Sequence, residues 1–222
     1  MHLIIFDIDG TVVDSVKQDD ECFTRTFKEL YNIDLSNTNW TNFKNVTDSG
    51  LTNEIFEKYL SQVPTARELN GLKDQFYRRL KQRAHEISEI TGAKKTLHRL
   101  MDHNDFFVAF ATGGWKKTAT LKLRTIDFEY QRFPLISSDD HEKRSEITKL
   151  AIKKSLYETR IQQFETITFV GDGLWDLSTS KELGINFIGV DSQQDNRLLD
   201  AGAIYVVRDL KNVGQIMAWA KA

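Results

Sequence analysis

The sequence is short of several features that mark whole classes of protein. It has one cysteine and two prolines among 222 residues, which excludes internal disulfides and long proline-rich linkers. The unpaired Cys22 is consistent with a reducing compartment. No apolar stretch is long enough to span a membrane, and Asp7 interrupts the first one, residues 3–6. A signal peptide needs a longer apolar region, so we expect a cytoplasmic protein.

An excess of basic charge is also missing. Lysines and arginines number 30 against 32 aspartates and glutamates, a formal net charge of −2. Non-specific binding to nucleic acid depends on a basic surface, so we expect neither a nucleic-acid partner nor a membrane partner. The chain is long enough to bury a sizeable core without disulfides or a structural metal. We expect a monomer or a weak dimer.

Six short apolar segments predict the strands of a sheet. They are residues 3–6, 106–111, 133–136, 167–170, 186–190 and 204–207. Most are continuous apolar runs, which is typical of strands buried on both faces of a parallel sheet. Helical spacing separates the later strands, as in Leu177 and Leu183 before the helix stop Gly184. The alternation predicts an α/β fold with a doubly wound, mostly parallel, Rossmann-like sheet.

The interval between the first and second strands is far too long for a single crossover helix. It contains three apolar stripes with helical spacing and polar opposite faces. The stripes are Phe23, Phe27, Leu30 and Tyr31; Leu51, Ile55 and Tyr59; and Leu69, Leu72, Phe76 and Leu80. We therefore predict an α-helical cap domain at residues 15–88, inserted into an α/β core domain formed by residues 1–14 and 89–222.

Carboxylates follow two of the predicted strands at their carboxyl ends, where open α/β sheets bind ligands. Asp7 and Asp9 follow the first strand, and Asp172 and Asp176 follow the fourth. Two carboxylates ~4 Å apart repel each other by about 4 kcal/mol at an effective dielectric near 20. Such a cluster needs a cation or protonation. Oxygen ligands beside an expected phosphate favour Mg²⁺.

The second and third strands end in groups that suit a phosphate. Thr112 offers a hydroxyl, and Gly113 and Gly114 offer unobstructed backbone N–H groups at a predicted helix N-terminus. Lys143, beyond the third strand, adds a positive charge. Lys149 is the rival lysine, but it lies within a predicted helix and is expected to face outward.

The order of these motifs resembles the haloacid dehalogenase superfamily of hydrolases. The chain has Asp-Ile-Asp-Gly-Thr at positions 7–11, then Thr112 after a strand, then Lys143, then Gly-Asp-Gly-Leu-Trp-Asp at positions 171–176. The resemblance spans residues 3–190. The insertion after the first motif looks like the helical cap of the C1 type, as in the group of phosphoglycolate phosphatase and beta-phosphoglucomutase.

The resemblance implies a role for each matched residue. Asp7 takes the position of the nucleophile, and Asp9 takes that of the general acid and base. Thr112, Gly113 and Lys143 take positions that hold the phosphoryl group. The implied Mg²⁺ ligands are Asp7, Asp9 through its backbone carbonyl, Asp172, and Asp176 directly or through water.

The resemblance also favours a phosphate ester as the substrate. Dehalogenases and phosphonate hydrolases of the superfamily do not carry aspartate at the position of Asp9. We expect a Mg²⁺-dependent phosphatase that hydrolyses a small phosphorylated metabolite through an aspartyl-phosphate. A phosphosugar mutase of the beta-phosphoglucomutase type shares all four motifs and is the alternative. A non-catalytic phosphate-binding or metal-binding protein is the third possibility.

Overall fold

The computed structural model describes residues 1–222. The strands are β1 (His2–Phe6), β2 (Val13–Asp14), β3 (Ser88–Glu89), β4 (Phe106–Ala111), β5 (Leu135–Ile136), β6 (Ile167–Gly171), β7 (Asn186–Val190) and β8 (Tyr205–Val207). The α-helices are α1 (Val16–Tyr31), α2 (Asp48–Leu60), α3 (Ala66–Gln82), α4 (Ala93–Met101), α5 (Lys116–Thr125), α6 (Arg144–Thr159), α7 (Leu174–Leu183), α8 (Arg197–Asp200) and α9 (Val213–Lys221). Strands and helices alternate beyond residue 92, as the sequence predicts.

Six strands form one parallel sheet in the order β5-β4-β1-β6-β7-β8. The chain builds the sheet outward from β1 in both directions, so the strand order reverses there. Such a reversal opens a crevice at the carboxyl ends of the central strands. The doubly wound, parallel α/β sheet predicted from the sequence is confirmed.

The side chains of β1 alternate between two helical layers. Ile4 and Phe6 belong to the apolar cluster that contains residues of α4, α5 and α9, whereas Leu3 and Ile5 belong to the cluster with α6 and α7. All four side chains are fully buried. A strand covered on both faces needs apolar residues at every position, which explains the continuous run.

All six strands predicted for the large sheet are confirmed, with small shifts at their ends. The largest shift is in β5, which begins at Leu135 because Phe133 closes a preceding 3₁₀ turn. The antiparallel pair of β2 and β3 was not predicted. Each of these strands has two residues, which is too few to show a hydrophobic period.

Three helices, α1, α2 and α3, occupy the interval predicted to be a helical insertion. Their shared interior contains the buried side chains of Phe27, Phe56 and Phe76. Two residues of the predicted apolar stripes are not on the buried face: Leu30 is 46% exposed and Tyr59 is 45% exposed. On α2 the aromatic ring that packs inward is therefore Phe56 rather than Tyr59.

The insertion leaves and rejoins the rest of the chain through neighbouring segments. Asp14 pairs with Ser88 in the short antiparallel sheet, so the two connections lie side by side. This arrangement agrees with the division into a core of 1–14 and 89–222 and a cap of 15–88, which stays a proposal. No helix of the chain combines the length and apolarity needed to cross a bilayer.

Two glycines at helix ends provide a matched test of the packing. Gly92 precedes α4 with φ +86°, and a Cβ atom there would lie 2.7 Å from the backbone nitrogen of Lys211. Gly184 ends α7 with φ +64°, as predicted, and a Cβ atom there would meet nothing within 4 Å.

We expect Gly184→Ala to lower the free energy of unfolding by roughly 1–2 kcal/mol, the cost of a left-handed alanine. Gly92→Ala adds an overlap with backbone, which typically costs about 1–3 kcal/mol more. Urea unfolding followed by circular dichroism measures both. Equal losses for the two variants would contradict the packing described at Gly92.

Candidate active site

A cavity of about 160 Å³ lies at the carboxyl ends of the central strands, between the core and the inserted helices. A single water molecule needs roughly 10–15 Å³ of such space, so the cavity admits a small organic phosphate. The core lines it with Asp7, Asp9, Thr112, Gly113, Gly114, Arg144, Asp172, Trp175 and Arg197. The insertion lines it with Val16, Asp19, Asp20, Phe23, Trp40, Val46, Thr47, Asp48 and Leu51.

Three carboxylates converge where β1 and β6 end. Oxygens of Asp7, Asp172 and Asp176 lie within 4.8 Å of one another, and all three side chains are buried. Burial, reinforced by the negative charge of Asp176, raises the pKa of Asp7 well above its ordinary value and that of Asp172 to about 7. Burial therefore disfavours the charged form of these carboxylates, a cost that a bound cation would offset.

The donor set of this cluster fits a hard divalent cation. Oδ1 of Asp7 is buried and accepts no hydrogen bond, which leaves a carboxylate oxygen available as a ligand. The other ligating atoms are also oxygens, as Mg²⁺ prefers. Asp7, Asp172 and Asp176 are therefore able to hold such a cation together.

The turn after β1 is possible only with a glycine. Gly10 has φ +72°, and a Cβ atom there would lie 2.3 Å from Oδ2 of Asp172. Any side chain at this position would displace that carboxylate. The Asp-Ile-Asp-Gly-Thr motif therefore combines the ligand residues with the one residue that allows Asp172 to approach them.

Asp9 is held by a lysine that sequence reasoning missed. The ammonium of Lys122, on α5, lies 2.7 Å from Oδ1 and 2.8 Å from Oδ2 of Asp9. It also forms an ion pair with Asp19 of α1. The hydroxyl of Ser15 donates to Oδ1 of Asp9 at 2.5 Å. Oδ1 of Asp9 thus accepts hydrogen bonds from both Lys122 and Ser15. Through Lys122, Asp9 of the core is linked to Asp19 of the first inserted helix.

Lys122 is fully buried. Burial alone would lower its pKa, but the carboxylates of Asp19 and Asp9 outweigh that effect and the pKa of Lys122 is raised. The residue is therefore a permanent cation. A sequence signal existed, because Lys122 lies between the buried residues Ala119 and Leu123 on the apolar side of α5. A lysine on that side of a helix needs a buried partner.

The Thr-Gly-Gly segment after β4 reaches the cavity as predicted. Thr112 is buried, and its hydroxyl accepts the backbone N–H of Gly114 at 3.0 Å. A Cβ atom at Gly113 would lie 2.3 Å from Nη2 of Arg144. The glycine is therefore required for the guanidinium to approach the strand end.

The structure places Lys143 outside the cavity, in disagreement with the sequence prediction. Its side chain is half-exposed and its ammonium lies 3.1 Å from Glu182. Arg144 lines the cavity instead, with Nη1 2.8 Å from Oδ1 of Asp176 and 3.6 Å from Oδ1 of Asp7. The reason is the start of α6 at Arg144, because adjacent residues at a helix N-terminus point in different directions.

A signal in the sequence distinguishes the two residues. Arg144 lies three, four and seven positions before Ile147, Thr148 and Ala151, which are the buried face of α6. Lys143 shares only one of these helical spacings. The helical period, applied one turn earlier, therefore selects the arginine.

The inserted helices are bonded to the core around this cavity. The backbone N–H of Asp48 donates to the carbonyl of Gly113 at 2.8 Å, and Oδ2 of Asp48 accepts the N–H of Trp115 at 2.7 Å. The hydroxyl of Ser49 donates to the carbonyl of Ser138. The N-terminus of α2 therefore closes one side of the site.

Arg197 is a third cation, after Lys122 and Arg144, that was not predicted from the sequence. Its guanidinium lies 3.2 Å from Oδ2 of Asp172 and donates to the carbonyl of the same residue at 3.2 Å. Arg197 begins the short helix α8, for which no strong pattern exists. Together, Arg144 and Arg197 are the two cationic side chains that line the cavity.

Comparisons with known proteins agree with this geometry. The family model of the haloacid dehalogenase-like hydrolases matches residues 4–190. A hydrolase from Pseudomonas syringae has a similar structure, with a TM-score of 0.77, 22% identity and 98% of each chain covered. CbbY from Rhodobacter sphaeroides in complex with phosphate has a TM-score of 0.72 and 17% identity, covering 96% of this chain and 97% of its own.

A putative beta-phosphoglucomutase from Thermotoga maritima is also similar, with a TM-score of 0.63, 21% identity, and coverage of 98% of this chain and 99% of its own. No curated protein matches the sequence. These identities establish a shared fold, and the family model covers well over half of the chain. The chain belongs to the haloacid dehalogenase-like hydrolases.

Proposed function

We propose that the protein is a Mg²⁺-dependent phosphatase that hydrolyses a small phosphate monoester through an aspartyl-phosphate. The observation that carries the proposal is the meeting of Asp7, Asp172 and Asp176 beside the Arg144 guanidinium, where Asp7, Asp172 and Arg144 line one cavity. Carboxylates that converge in this way suit a divalent cation, and a guanidinium suits the oxygens of a phosphoryl group.

Asp7, Asp172 and Asp176 are the side chains that would hold Mg²⁺, with the backbone carbonyl of Asp9 as a further ligand. Bound Mg²⁺ supplies the positive charge that neutralises the carboxylates and the phosphoryl oxygens. Phosphoryl transfer depends mainly on such positioning and charge compensation. The hydroxyl of Thr112, the backbone N–H of Gly113 and the guanidinium of Arg144 would orient the phosphoryl group for attack.

Two carboxylates perform the chemistry in this proposal. A carboxylate oxygen of Asp7 forms a bond to phosphorus, and the bond from phosphorus to the leaving oxygen breaks. Asp9 enters this step as a carboxylic acid, gives that oxygen its proton and becomes a carboxylate. Asp9 then removes a proton from water, the water oxygen bonds to phosphorus, and the bond from Asp7 to phosphorus breaks. Inorganic phosphate is released and both residues return to their original states.

Similar structures support a phosphate ester as the ligand class. CbbY has been described in complex with phosphate, and a mutant of CbbY in complex with xylulose-(1,5)bisphosphate. In our proposal the corresponding phosphoryl group of this chain's substrate is held against Asp7 and Arg144.

Phosphate release from a panel of phosphorylated sugars, phosphoglycolate and nucleotides tests the proposal. We expect release from at least one compound with Mg²⁺ and none with EDTA. Asp7→Asn removes the nucleophile and should lower turnover by at least about 10³-fold, since removal of a covalent nucleophile in other enzymes costs this much or more. Full turnover by Asp7→Asn would refute the mechanism. Isomerisation of a sugar phosphate much faster than release of phosphate would favour the mutase alternative.

Arg144 and Lys143 provide a matched pair of variants. We expect Arg144→Gln to lower kcat by about 10²–10³-fold, the usual cost of removing one group that stabilises transition-state charge. Lys143→Gln removes an adjacent charge that points at Glu182 and should change kcat less than twofold. Steady-state kinetics on the best substrate measures both. A larger effect at Lys143 would contradict the assignment of Arg144 to the phosphoryl group.

A further inference from the structure

The cavity has two ends that differ in charge. The core end contains Asp7, Asp172 and both cations that line the cavity, Arg144 and Arg197. The end formed by the insertion contains three aspartates and no cationic side chain; these aspartates are Asp19, Asp20 and Asp48. A substrate that reaches across the cavity therefore meets opposite electrostatic environments at its two ends.

The proposed general acid shows which end faces the leaving group. A Cβ atom at Gly114 would lie 3.6 Å from Oδ2 of Asp9 and 3.8 Å from Oδ2 of Asp48, so these two carboxylates are neighbours. Asp19 shares the ammonium of Lys122 with Asp9. The acid that protonates the leaving oxygen is thus next to the acidic end of the cavity, and the leaving group extends into that end.

Asp48 has a carboxylate oxygen without a partner. The residue is only 8% exposed and lines the cavity. Its Oδ2 accepts the N–H of Trp115, whereas Oδ1 accepts no hydrogen bond within the protein. Burial and the nearby charge of Asp19 raise the pKa of Asp48. A buried carboxylate in this state gains from a cationic or hydrogen-bond-donating ligand.

The positive charge available inside the protein compensates only part of the acidic end. Lys122 is fully buried and its ammonium is already paired with Asp9 and Asp19. Asp20 accepts a hydrogen bond from the indole N–H of Trp40 and has no basic partner. The rings of Phe23 and Trp40 stand 5.9 Å apart in the same wall. Aromatic rings beside carboxylates favour a cationic group.

We propose that the substrate is a phosphate monoester whose leaving group carries an amine, and that Asp20 and Asp48 recognise its ammonium. This inference rests on the proposed phosphatase function and adds the substrate class. A second phosphate or a carboxylate on the leaving group would be repelled, because no cation faces it. Sugar bisphosphates and phosphoglycolate are therefore poor substrates in this proposal.

Three small phosphate esters that differ in the charge of the leaving group test the proposal. They are 2-aminoethyl phosphate, 2-hydroxyethyl phosphate and phosphoglycolate, compared by kcat/KM with Mg²⁺. We expect the amine to exceed the neutral ester at least tenfold, and phosphoglycolate to fall at least tenfold below the neutral ester. The same order is expected for glucosamine 6-phosphate, glucose 6-phosphate and 6-phosphogluconate.

Asp20→Asn tests the contribution of one carboxylate, and Glu21→Gln is its control. Glu21 is on the same helix but pairs with Arg83 away from the cavity. We expect Asp20→Asn to reduce the preference for amine over neutral ester at least fivefold, and Glu21→Gln to leave that preference unchanged.

The outcomes separate the two levels of the proposal. Equal rates for the amine and the neutral ester, or a preference for the anionic ester, would overturn the substrate class while the phosphatase function stands. Release of phosphate from no ester in either set or in the wider panel would overturn the phosphatase function itself. Loss of the amine preference in Glu21→Gln as well would refute the assignment to Asp20.

A second inference comes from the contact of Lys122 with Asp9. Each oxygen of Asp9 lies within hydrogen-bond distance of the ammonium, at 2.7 Å and 2.8 Å. Because Lys122 is fully buried, it touches no ligand directly. We infer that Lys122 is a positioning residue, which holds the carboxyl group of Asp9 in line with the leaving oxygen. This inference also rests on the proposed function.

Dependence on the leaving group tests this role. A poor leaving group such as a hydroxyalkyl needs a proton from Asp9, whereas p-nitrophenolate departs without one. We expect Lys122→Met to lower kcat for 2-hydroxyethyl phosphate at least fiftyfold and for p-nitrophenyl phosphate less than fivefold. Asp9→Asn should show the same contrast. Equal slowing of both substrates by a variant that still folds would refute the positioning role.

Lys122→Met leaves Asp9 and Asp19 without their shared cation, and the single variant is therefore at risk of not folding. A second variant covers that case. The double variant Lys122→Met with Asp19→Asn removes one of the two charges and keeps the contrast measurable if the single variant does not fold. Hydrolysis of neither ester by the unaltered enzyme would count against the phosphatase function rather than against Lys122 alone.

Discussion

The repulsion among carboxylates at one edge of the sheet is the constraint on which the rest of the site depends. Parallel strands deliver Asp7 and Asp172 to the same edge, and Asp176 follows one helical turn later. In a buried setting the repulsion is large. Burial is the main cause of the raised pKa values of all three residues, and the charge of Asp176 adds to it for Asp7 and Asp172. Arg144 and Arg197 offset part of the negative charge. The remaining negative charge is what a bound cation would neutralise in the proposed function.

The same constraint organises the contact between the core and the inserted helices. Lys122 comes from the core, and its ammonium is shared between Asp9 of the core and Asp19 of α1. Removal of one partner from a buried ion pair strongly destabilises the folded protein. Lys122, Asp9 and Asp19 therefore depend on one another. The backbone bond from Asp48 to Gly113 adds a second link across the cavity. The insertion thus contributes to the site through charge as well as shape.

The sequence predicted what depends on local periodicity and missed what depends on direction in space. Continuous apolar runs were sufficient for the six strands, and the positions of Asp7 and Asp172 follow from where those strands end. Lys143 was preferred to Lys149, and Arg144 was missed, because the identity of the inward-facing residue depends on where α6 begins, and helix boundaries are hard to place from sequence. Lys122 was missed because its partners are more than a hundred residues away in the sequence. Long-range pairing of this kind leaves only an indirect trace, a charged residue on an apolar helix face.

In the proposed function, the residues that react with the phosphate and the residues that recognise the leaving group belong to different parts of the chain. The strand ends that carry the reacting groups belong to the parallel sheet, whose geometry is constrained on both faces by packing. The residues proposed to recognise the leaving group, Asp20 and Asp48, belong to α1 and α2 of the insertion. Substitution of Asp20 changes the charge of the cavity wall, and the side-chain partner of Asp20 is Trp40 rather than Asp7 or Arg144. A chain built in this way can alter its substrate while it keeps its reaction, which is why low identity to similar structures is compatible with a common fold and different ligands.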